Sequence, residues 1–553
     1  MAAFVDRTRR PLNTPEFRGA RPRAYSRTIA DGMIVERDIR VPTRFGHDIW
    51  IDLFRPIDES VAVPPIIAWT PYGKHDPAPI GKIYPTSGVK VEWMSDYTIF
   101  EAPDPVYWVA QGYAVICADI PGTWSEAGAT AYYLDPREAE AEYDLIEWAG
   151  TQGWSNGKVG LSGVSYLTQS QWRVAELNPP HLAAINPWEG WTDTYNDIVR
   201  HGGIPETHFW PYIQVRWGCS DSRIEDLWAQ TMEHPFFDEY WQRKAAKLEA
   251  IEVPAYIVAS WSDHGVHSRG TFEGFKRIGS AQKWLEIHGE KKWAHYYKPE
   301  SVAKQTAFFD HFLKGVADSI ADWPAVTYQV REKHAVAETR TAGTYPIENT
   351  TYTRLYLDAT SGTMAPTAPA VEAVISYDSL DENGFAAFDH RFASDVDLVG
   401  NIKLALDVSA DADDMDLFVA LEKLDAAGNK VGFTHYAVFE DGPVALGWLR
   451  VSRRELDPVR STDWQPVLAN RRDIKLAPGE RVRAEIEILP SGTHFAAGES
   501  LRVMIKGRDI YNYPKPMLYM HHEDTVNRGA HRLHSGGADP AYLLVPVVKG
   551  TIG

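Results

Sequence analysis

Ser165 closes the run Val159-Gly160-Leu161-Ser162-Gly163-Val164-Ser165, and a helix-compatible segment, 167–177, follows at once. A serine hydroxyl is a poor nucleophile unless it is exposed, held rigidly and placed beside a base. A sharp strand-to-helix turn supplies the first two conditions, and the small Gly163 makes room for it. The fifth position of the usual Gly-x-Ser-x-Gly pattern is Leu167 here, so the motif alone also fits an ordinary turn serine. Its context favours the nucleophile. A buried-strand pattern precedes Ser165, Gly153 and Gly157 punctuate the loop before that, and 143–149 reads as a helix earlier still.

A nucleophilic serine also needs a base, a carboxylate to orient the base, and donors for the oxyanion. The strand-like run 255–259 leads into Ser260-Trp261-Ser262-Asp263-His264-Gly265, which puts Asp263 just past a strand end. The run 284–287 leads into a loop carrying His288 and then Trp293-Ala294-His295. The order Ser165, Asp263, His295 is the chain order of a doubly wound hydrolase. His264, His267 and His288 compete with His295 for the base, and the residues alone give His295 only a modest preference. The spacing of His264 and His267 also suits a metal pair, yet no third ligand with usable spacing accompanies them, so neither a metal nor a cofactor is expected. His521, His522, His531 and His534 read as solvated or loop-packing.

The elements that must position these residues follow from the hydrophobic pattern. Short apolar runs at 66–69, 113–118, 158–161, 255–259 and 284–287 alternate with helical stretches at 143–149, 167–177 and 302–313. That alternation predicts a mostly parallel sheet with helices on both faces. Between 190 and 250 the strand rhythm stops, and 191–199 and 238–248 read as helices rich in Trp and Tyr. An all-helical insertion there would cap the edge of the sheet where ligands bind. From 340 onward many short alternating runs, among them 353–357, 402–408, 417–421, 482–488, 501–505 and 541–547, argue for a β-sandwich, read as a jelly roll. The expected organisation is a catalytic domain from 1–190 and 251–340, a cap from 191–250, and a β-sandwich from 341–553.

Bulk properties narrow the function. The 553 residues need two or three domains, and 44% hydrophobic with 24% charged residues describes a globular chain. With 56 Lys and Arg against 75 Asp and Glu, the net charge of −19 disfavours nucleic acid and anionic membranes as partners. No apolar run of about eighteen residues suggests a membrane span. Two cysteines, Cys117 and Cys219, imply no disulfide framework, and the cytoplasm is the expected compartment. The Arg-rich start lacks an apolar segment, so it is not a secretory signal; an organellar transit peptide and an arm lying along the body both fit, the prolines favouring the arm. A small-molecule acyl substrate is the expected partner, and a homo-oligomer is compatible with the sequence.

The segment from Trp148 through Trp154-Ser155-Asn156-Gly157-Lys158 to Ser165-Tyr166-Leu167 resembles the nucleophile region of the cocaine esterase and X-prolyl dipeptidyl-peptidase family. Ser260-Trp261-Ser262-Asp263 resembles that family's acid motif, Trp293-Ala294-His295 its histidine motif, and Thr70-Pro71-Tyr72-Gly73-Lys74 its Pro-Tyr-x-Lys motif. The likeness continues through 447–454, 476–480 and 541–546 into the family's C-terminal jelly roll. The resemblance implies an α/β-hydrolase fold with Ser165 as nucleophile, His295 as base and Asp263 as its orienter. It further implies an oxyanion hole built from the Tyr72 hydroxyl and the Tyr166 backbone N–H, each such donor being worth about a hundredfold to a thousandfold in rate. One loop departs from the family pattern: Pro121 in Asp119-Ile120-Pro121-Gly122 stands where an arginine is usual, and Ser125 comes one position early.

Family members divide among esters, β-lactam side-chain amides and X-Pro peptides. A peptidase would need carboxylates for the substrate ammonium, and Glu189, Asp193 and Glu126 are the candidates, although in so negative a chain a solvated face accounts for them better. Trp188, Trp191 and Tyr195, with Phe209, Trp210 and Trp217, point instead to an apolar or aromatic acyl pocket, so hydrolysis of a carboxylic ester is expected. Alternatives are an amidase or X-Pro dipeptidyl-peptidase, a β-lactam acylase, an acyltransferase, and a non-catalytic binding protein on the same scaffold.

Overall fold

The computed structural model describes residues 6–11, 13–14, 23–75, 80–124, 129–514 and 519–552. Its first half is built on a sheet of β1 (Met33–Pro42), β2 (Asp48–Pro56), β3 (Pro65–Thr70), β4 (Ala114–Asp119), β5 (Val159–Val164), β6 (Leu182–Trp188), β7 (Ala255–Ser260), β8 (Lys283–His288), β9 (Val326–Lys333) and β10 (Val336–Ala342). The spatial order is β1-β2-β4-β3-β5-β6-β7-β8-β9-β10. From β4 to β9 the pairing is parallel, while β1, β2 and β10 run antiparallel at the two edges. The helices that matter for the site are α1 (Pro105–Ala110), α2 (Pro136–Gly150), α3 (Tyr166–Ala175), α4 (Phe209–Trp217), α5 (Ser268–Arg277), α6 (Lys292–Tyr297) and α7 (Pro299–Phe309).

Strands β3, β4, β5 and β7 are buried at every position, which is why they appear in the sequence as unbroken apolar runs. β3 and β5 pair directly, Ile66 with Gly160 and Ile67 with Leu161, while the chain leaves β3 for β4 on its other side. The strand order therefore reverses between β3 and β5. Loops leaving the carboxyl ends of two such strands diverge and open a crevice. Tyr72 follows β3 and Ser165 follows β5, so the topology brings both to one place.

The segment 191–250 is not the all-helical insertion expected. It holds a single π-helical turn, Tyr195–Val199, a hairpin pairing Arg200–His201 with Ile204–Pro205, α4, a strand Arg223–Glu225, and short helices Leu227–Glu233 and Glu239–Gln242. Arg223–Glu225 pairs with Thr8–Arg9 on one side and Thr130–Ala131 on the other. Asp6 takes hydrogen bonds from Arg137 and Arg243, so the N-terminal segment lies against the body.

The C-terminal strands form two antiparallel groups. One contains β11 (Thr351–Asp358), β13 (Val396–Ala410), β16 (Val482–Phe495), β18 (Ala530–Ser535) and β19 (Tyr542–Lys549); the other contains β12 (Ala386–Arg391), β14 (Asp416–Leu424), β15 (Ala445–Arg450) and β17 (Ser500–Lys506). β14 shows how they are tied together. Leu417, Val419 and Leu421 join a core shared with Leu404, Val503 and Leu543, while Phe418 and Ala420 face the other way, into the core of the first half. Burial on both faces makes β14 continuously apolar. Polar bonds reinforce the junction: Arg331 of β9 donates to Val444 O and Ser491 Oγ, and the Arg450 amide donates to Gly202 O.

Candidate active site

Ser165 sits between β5 and α3 with φ 61° and ψ −116°, a conformation that costs free energy for any residue but glycine. Its amide donates to the carbonyls of Trp188 and Glu189 at 3.1 Å each, and its own carbonyl accepts from Thr168 and Gln169. Two glycines leave the space this turn needs. A Cβ on Gly163, where φ is +146°, would lie 2.5 Å from Leu167 Cβ, and one on Gly190 would lie 2.5 Å from Thr168 Cγ2. Leu167 therefore does not disqualify the turn, because its side chain packs against the bare Cα of Gly163.

The imidazole that meets Ser165 is His267, with Nε2 3.0 Å from Oγ. Its Nδ1 is hydrogen-bonded to Asp263 Oδ2. Asp263 and His267 stand one turn apart on the segment linking β7 to α5, where the amides of Val266, His267 and Ser268 all donate to the Asp263 carbonyl. The turn is pinned by Ser268 Oγ donating to Ser260 O and by the Ser262 amide donating to Ser260 Oγ. Trp191 stacks on His267 with the rings 8° from parallel and centroids 5.7 Å apart. Such a chain can pass a proton from hydroxyl to imidazole while the carboxylate holds the tautomer.

His295, the expected base, is elsewhere. Its Nε2 lies 3.0 Å from Glu286 Oε1 and its Nδ1 3.3 Å from Glu290 Oε2, and its ring stacks on His288 at 3.7 Å. His288 in turn bonds Glu189 Oε1 at 3.0 Å. From α6 it is Lys292, not His295, that reaches the Asp263–His267 pair: its Nζ is 3.2 Å from Asp263 Oδ2 and 3.3 Å from His267 Nδ1. The signal for His267 was present in the sequence as Asp263-x-x-x-His267, since residues four apart on a helical turn face one another. His264, its supposed metal partner, directs Nε2 to the Pro490 carbonyl instead.

Electrostatics follow from burial. Burial alone would push the Asp263 carboxyl up, but the Lys292 charge and His267 outweigh it and hold it well below the usual carboxylate range. Burial and then the Lys292 charge push His267 down to about 4, against the pull of Asp263. Glu189 is pushed well up by burial and by the Asp263 charge.

Tyr72 and Ser165 line one cavity. Tyr84, Phe100, Phe209, Ile213, Trp293 and Tyr436 make its largely aromatic wall, and Glu101, His267 and Lys292 its polar side. Tyr72 packs edge-on against Phe100 with centroids 4.9 Å apart. Its loop is anchored by Lys74, whose Nζ is 2.5 Å from Asp38 Oδ1, 2.8 Å from Asp52 Oδ1 and 2.8 Å from His75 Nε2. Among the described residues, Asp38, Asp52 and His75 are grouped closely enough to hold a metal ion, and the Lys74 ammonium bonds to all three. The Lys74 amide donates to Asp119, so the loop containing Pro121 keeps its aspartate in use; Ser125 and Glu126 lie outside the described residues. As the first residue of α3, Tyr166 offers an N–H with no acceptor inside its helix. Its hydroxyl donates to Glu138, which also accepts from Trp69 Nε1 and is pushed up to about 7 by burial.

The aromatic residues expected in the acyl pocket are mostly structural. Trp188 is fully buried against Tyr256, Tyr296 and His295; Trp191 backs His267; Tyr195 bonds Pro235 O and Arg453. None of the three lines the cavity. Phe209 does, whereas Trp210 and Trp217 pack behind it.

Residues 46–223 match the X-Pro dipeptidyl-peptidase (S15 family), and residues 319–544 match the X-Pro dipeptidyl-peptidase C-terminal non-catalytic domain. A crystal structure of a CocE/NonD family hydrolase from Staphylococcus aureus is 40% identical, covers 96% of this chain and 98% of its own, and superposes with a TM-score of 0.92. The chain belongs to the CocE/NonD family of hydrolases. Cocaine esterase from Rhodococcus sp. is 25% identical over 93% of this chain and 99% of its own length. An α-amino acid ester hydrolase shares the fold, with a TM-score of 0.69 at 17% identity over 94% of this chain and 98% of its own. As a CocE/NonD family member the protein is a serine hydrolase, an esterase or a peptidase, with an α/β-hydrolase fold and a C-terminal domain. Among the described residues no helix is long and apolar enough to cross a membrane.

Proposed function

We propose that the protein hydrolyses carboxylic esters carrying a small apolar or aromatic acyl group, using Ser165 as nucleophile, His267 as base and Asp263 as its orienter. The observation that carries this is the unbroken hydrogen-bonded chain from Ser165 Oγ through His267 to Asp263, opening on an aromatic cavity. His267 Nε2 takes the hydroxyl proton as Ser165 Oγ attacks the carbonyl, and the Tyr72 hydroxyl and Tyr166 amide hold the oxyanion. The C–O bond to the alcohol breaks, and the alcohol leaves with the proton from His267. Water then attacks the acyl-enzyme, giving its proton to His267, which returns it to Ser165 as the acid departs.

An ester is favoured over an aminoacyl substrate by charge. Asp193 is engaged with Asn196, and Glu189 is committed to His288 away from the cavity. Glu101 does line the cavity, but it accepts from Trp293 Nε1, and Lys292 on the same wall would repel a substrate ammonium. The sheet, the segment at 191–250 and the C-terminal strands are proposed to act as catalytic domain, cap and β-sandwich. The last of these is read as a jelly roll that closes the acyl site through Tyr436.

The test has two parts. A fluorophosphonate should label wild-type protein and not Ser165→Ala, which stays folded and loses hydrolysis. Aryl esters should then be cleaved far faster than matched X-Pro and β-lactam amides. Labelling of Ser165→Ala removes the nucleophile, and equal rates on esters and amides remove the ester preference.

A further inference from the structure

Lys292 is the one feature of the site that the cycle above leaves without a task. It is buried on α6 and lines the cavity, and its Nζ stands 3.2 Å from Asp263 Oδ2 and 3.3 Å from His267 Nδ1. Both Nζ and Nδ1 bear hydrogens in the resting tautomer, so their closeness is a contact between two donors that share one acceptor oxygen. Asp263 Oδ2 thus serves two donors, while Oδ1 is buried without a hydrogen-bond partner among the described residues.

We propose that Lys292 is a positioning residue for the base: its ammonium, wedged beside the Asp263–His267 pair, keeps the imidazole in the uncharged form that can accept the proton of Ser165. The physical reason is the charge tally of the pocket. Asp263 by itself would draw a proton onto His267 and leave a resting imidazolium, which cannot act as base. An ammonium in contact with both groups offsets the carboxylate and penalises a second positive charge a few ångströms away. Other groups near His267 leave this balance in place. Ser165 faces it from the elbow, and Tyr72 and Tyr436 line the same cavity. Glu189 holds His288, and Glu101 accepts from Trp293 Nε1. His264 on the same turn is directed to Pro490, and His435 on the C-terminal side to the Tyr519 hydroxyl. Arg269 is paired with Asp197 and Glu487. Burial and the Lys292 charge both push His267 down, consistent with this role.

The consequence is a hydrolase that keeps working in mild acid. The acidic limb of kcat/KM should lie at least about one pH unit below the ordinary histidine value of ~6.5. In Lys292→Met it should rise toward or above that value, lowering kcat/KM at pH 5 by about tenfold or more while the plateau at pH 8 changes by only about threefold. Lys292→Arg, which keeps the charge, should retain the low limb. The experiment is the pH profile of aryl-ester kcat/KM for the three proteins, with fluorophosphonate labelling rate as a substrate-independent second readout. An unmoved limb in Lys292→Met overturns the proposal. Should that variant not fold, Lys292→Gln is measured in its place: a limb that rises there supports the proposal, and an unmoved one overturns it. Because the proposal rests on the Ser165–His267–Asp263 assignment, His267→Ala is measured alongside. Full activity there defeats the assignment itself, whereas a dead His267→Ala with an unmoved limb in Lys292→Met defeats only the role of Lys292.

Discussion

Exchanging the roles of two histidines separates the site the coordinates describe from the one the family motif implies. His267→Ala removes the imidazole 3.0 Å from Ser165 Oγ, leaving a hydroxyl with no base and two oxyanion donors still in place. Loss of a triad member in this setting costs about 10⁵- to 10⁶-fold in kcat, equivalent to about 7–8 kcal/mol of barrier, with folding little changed. His295→Ala makes a different cut. It deletes a ring stacked on His288 at 3.7 Å and bonded to Glu286 at 3.0 Å. Glu286 keeps the Tyr256 hydroxyl at 2.7 Å and Lys304 at 2.6 Å, so its charge is not stranded. The cavity and the broken contact together should cost about 3 kcal/mol of stability, and kcat should stay within about threefold of wild type. Initial rates on an aryl ester at pH 8, paired with thermal unfolding of both variants, read the two effects separately. A folded His295→Ala with collapsed kcat, beside an active His267→Ala, would refute the assignment of the base.

Tyr72→Phe should lower kcat by about a hundredfold to a thousandfold with KM nearly unchanged, since the phenol acts on charge that appears only in the transition state; equal kcat values would take Tyr72 out of the oxyanion hole. Gly163→Ala should unfold at lower temperature and lose activity, because the new methyl would sit 2.5 Å from Leu167 Cβ at a φ of +146°; a wild-type melting curve with full turnover would contradict the close-packed elbow. Tyr436→Ala should widen the acyl site and shift relative kcat/KM toward longer or bulkier acyl chains by about tenfold, and an unchanged chain-length profile would show that the C-terminal strands do not shape specificity.

The parts of the fold visible in the sequence are those buried on both sides. β3, β4, β5 and β7 stand out because they are buried at every position, β8 through Trp284, Leu285 and Ile287, and Ser165 and Asp263 drew notice because they follow such runs. β1 at one edge and β9, next to the other edge, went unseen because charged residues interrupt them: Glu36, Arg37 and Asp38 lie inside β1, and Arg331, Glu332 and Lys333 end β9. β6 was hidden by Asn186 and Pro187, whose place in a buried strand is made tolerable when Asn186 Nδ2 donates to Tyr256 O. Of the helices expected at 191–199 and 238–248 only Tyr195–Val199 and Glu239–Gln242 form, while the strand Arg223–Glu225 between them is made by pairing with Thr8–Arg9 and Thr130–Ala131, contacts remote in the chain. The imidazole beside Ser165 was missed for a similar reason. A motif and a strand end both favoured His295, and only tertiary structure shows that α6 points Lys292 at the carboxylate. The acyl wall was equally out of reach, since Tyr84, Phe100 and Tyr436 come from loops and from the other end of the chain.

With acid and base on a single turn, their mutual distance is a local property of five consecutive residues. Assembly of the machinery then reduces to one tertiary fit, the approach of that turn to the elbow at Ser165. Heating or mutation that loosens the β7–α5 connection should switch the enzyme off in a single event, with the carboxylate and imidazole departing together.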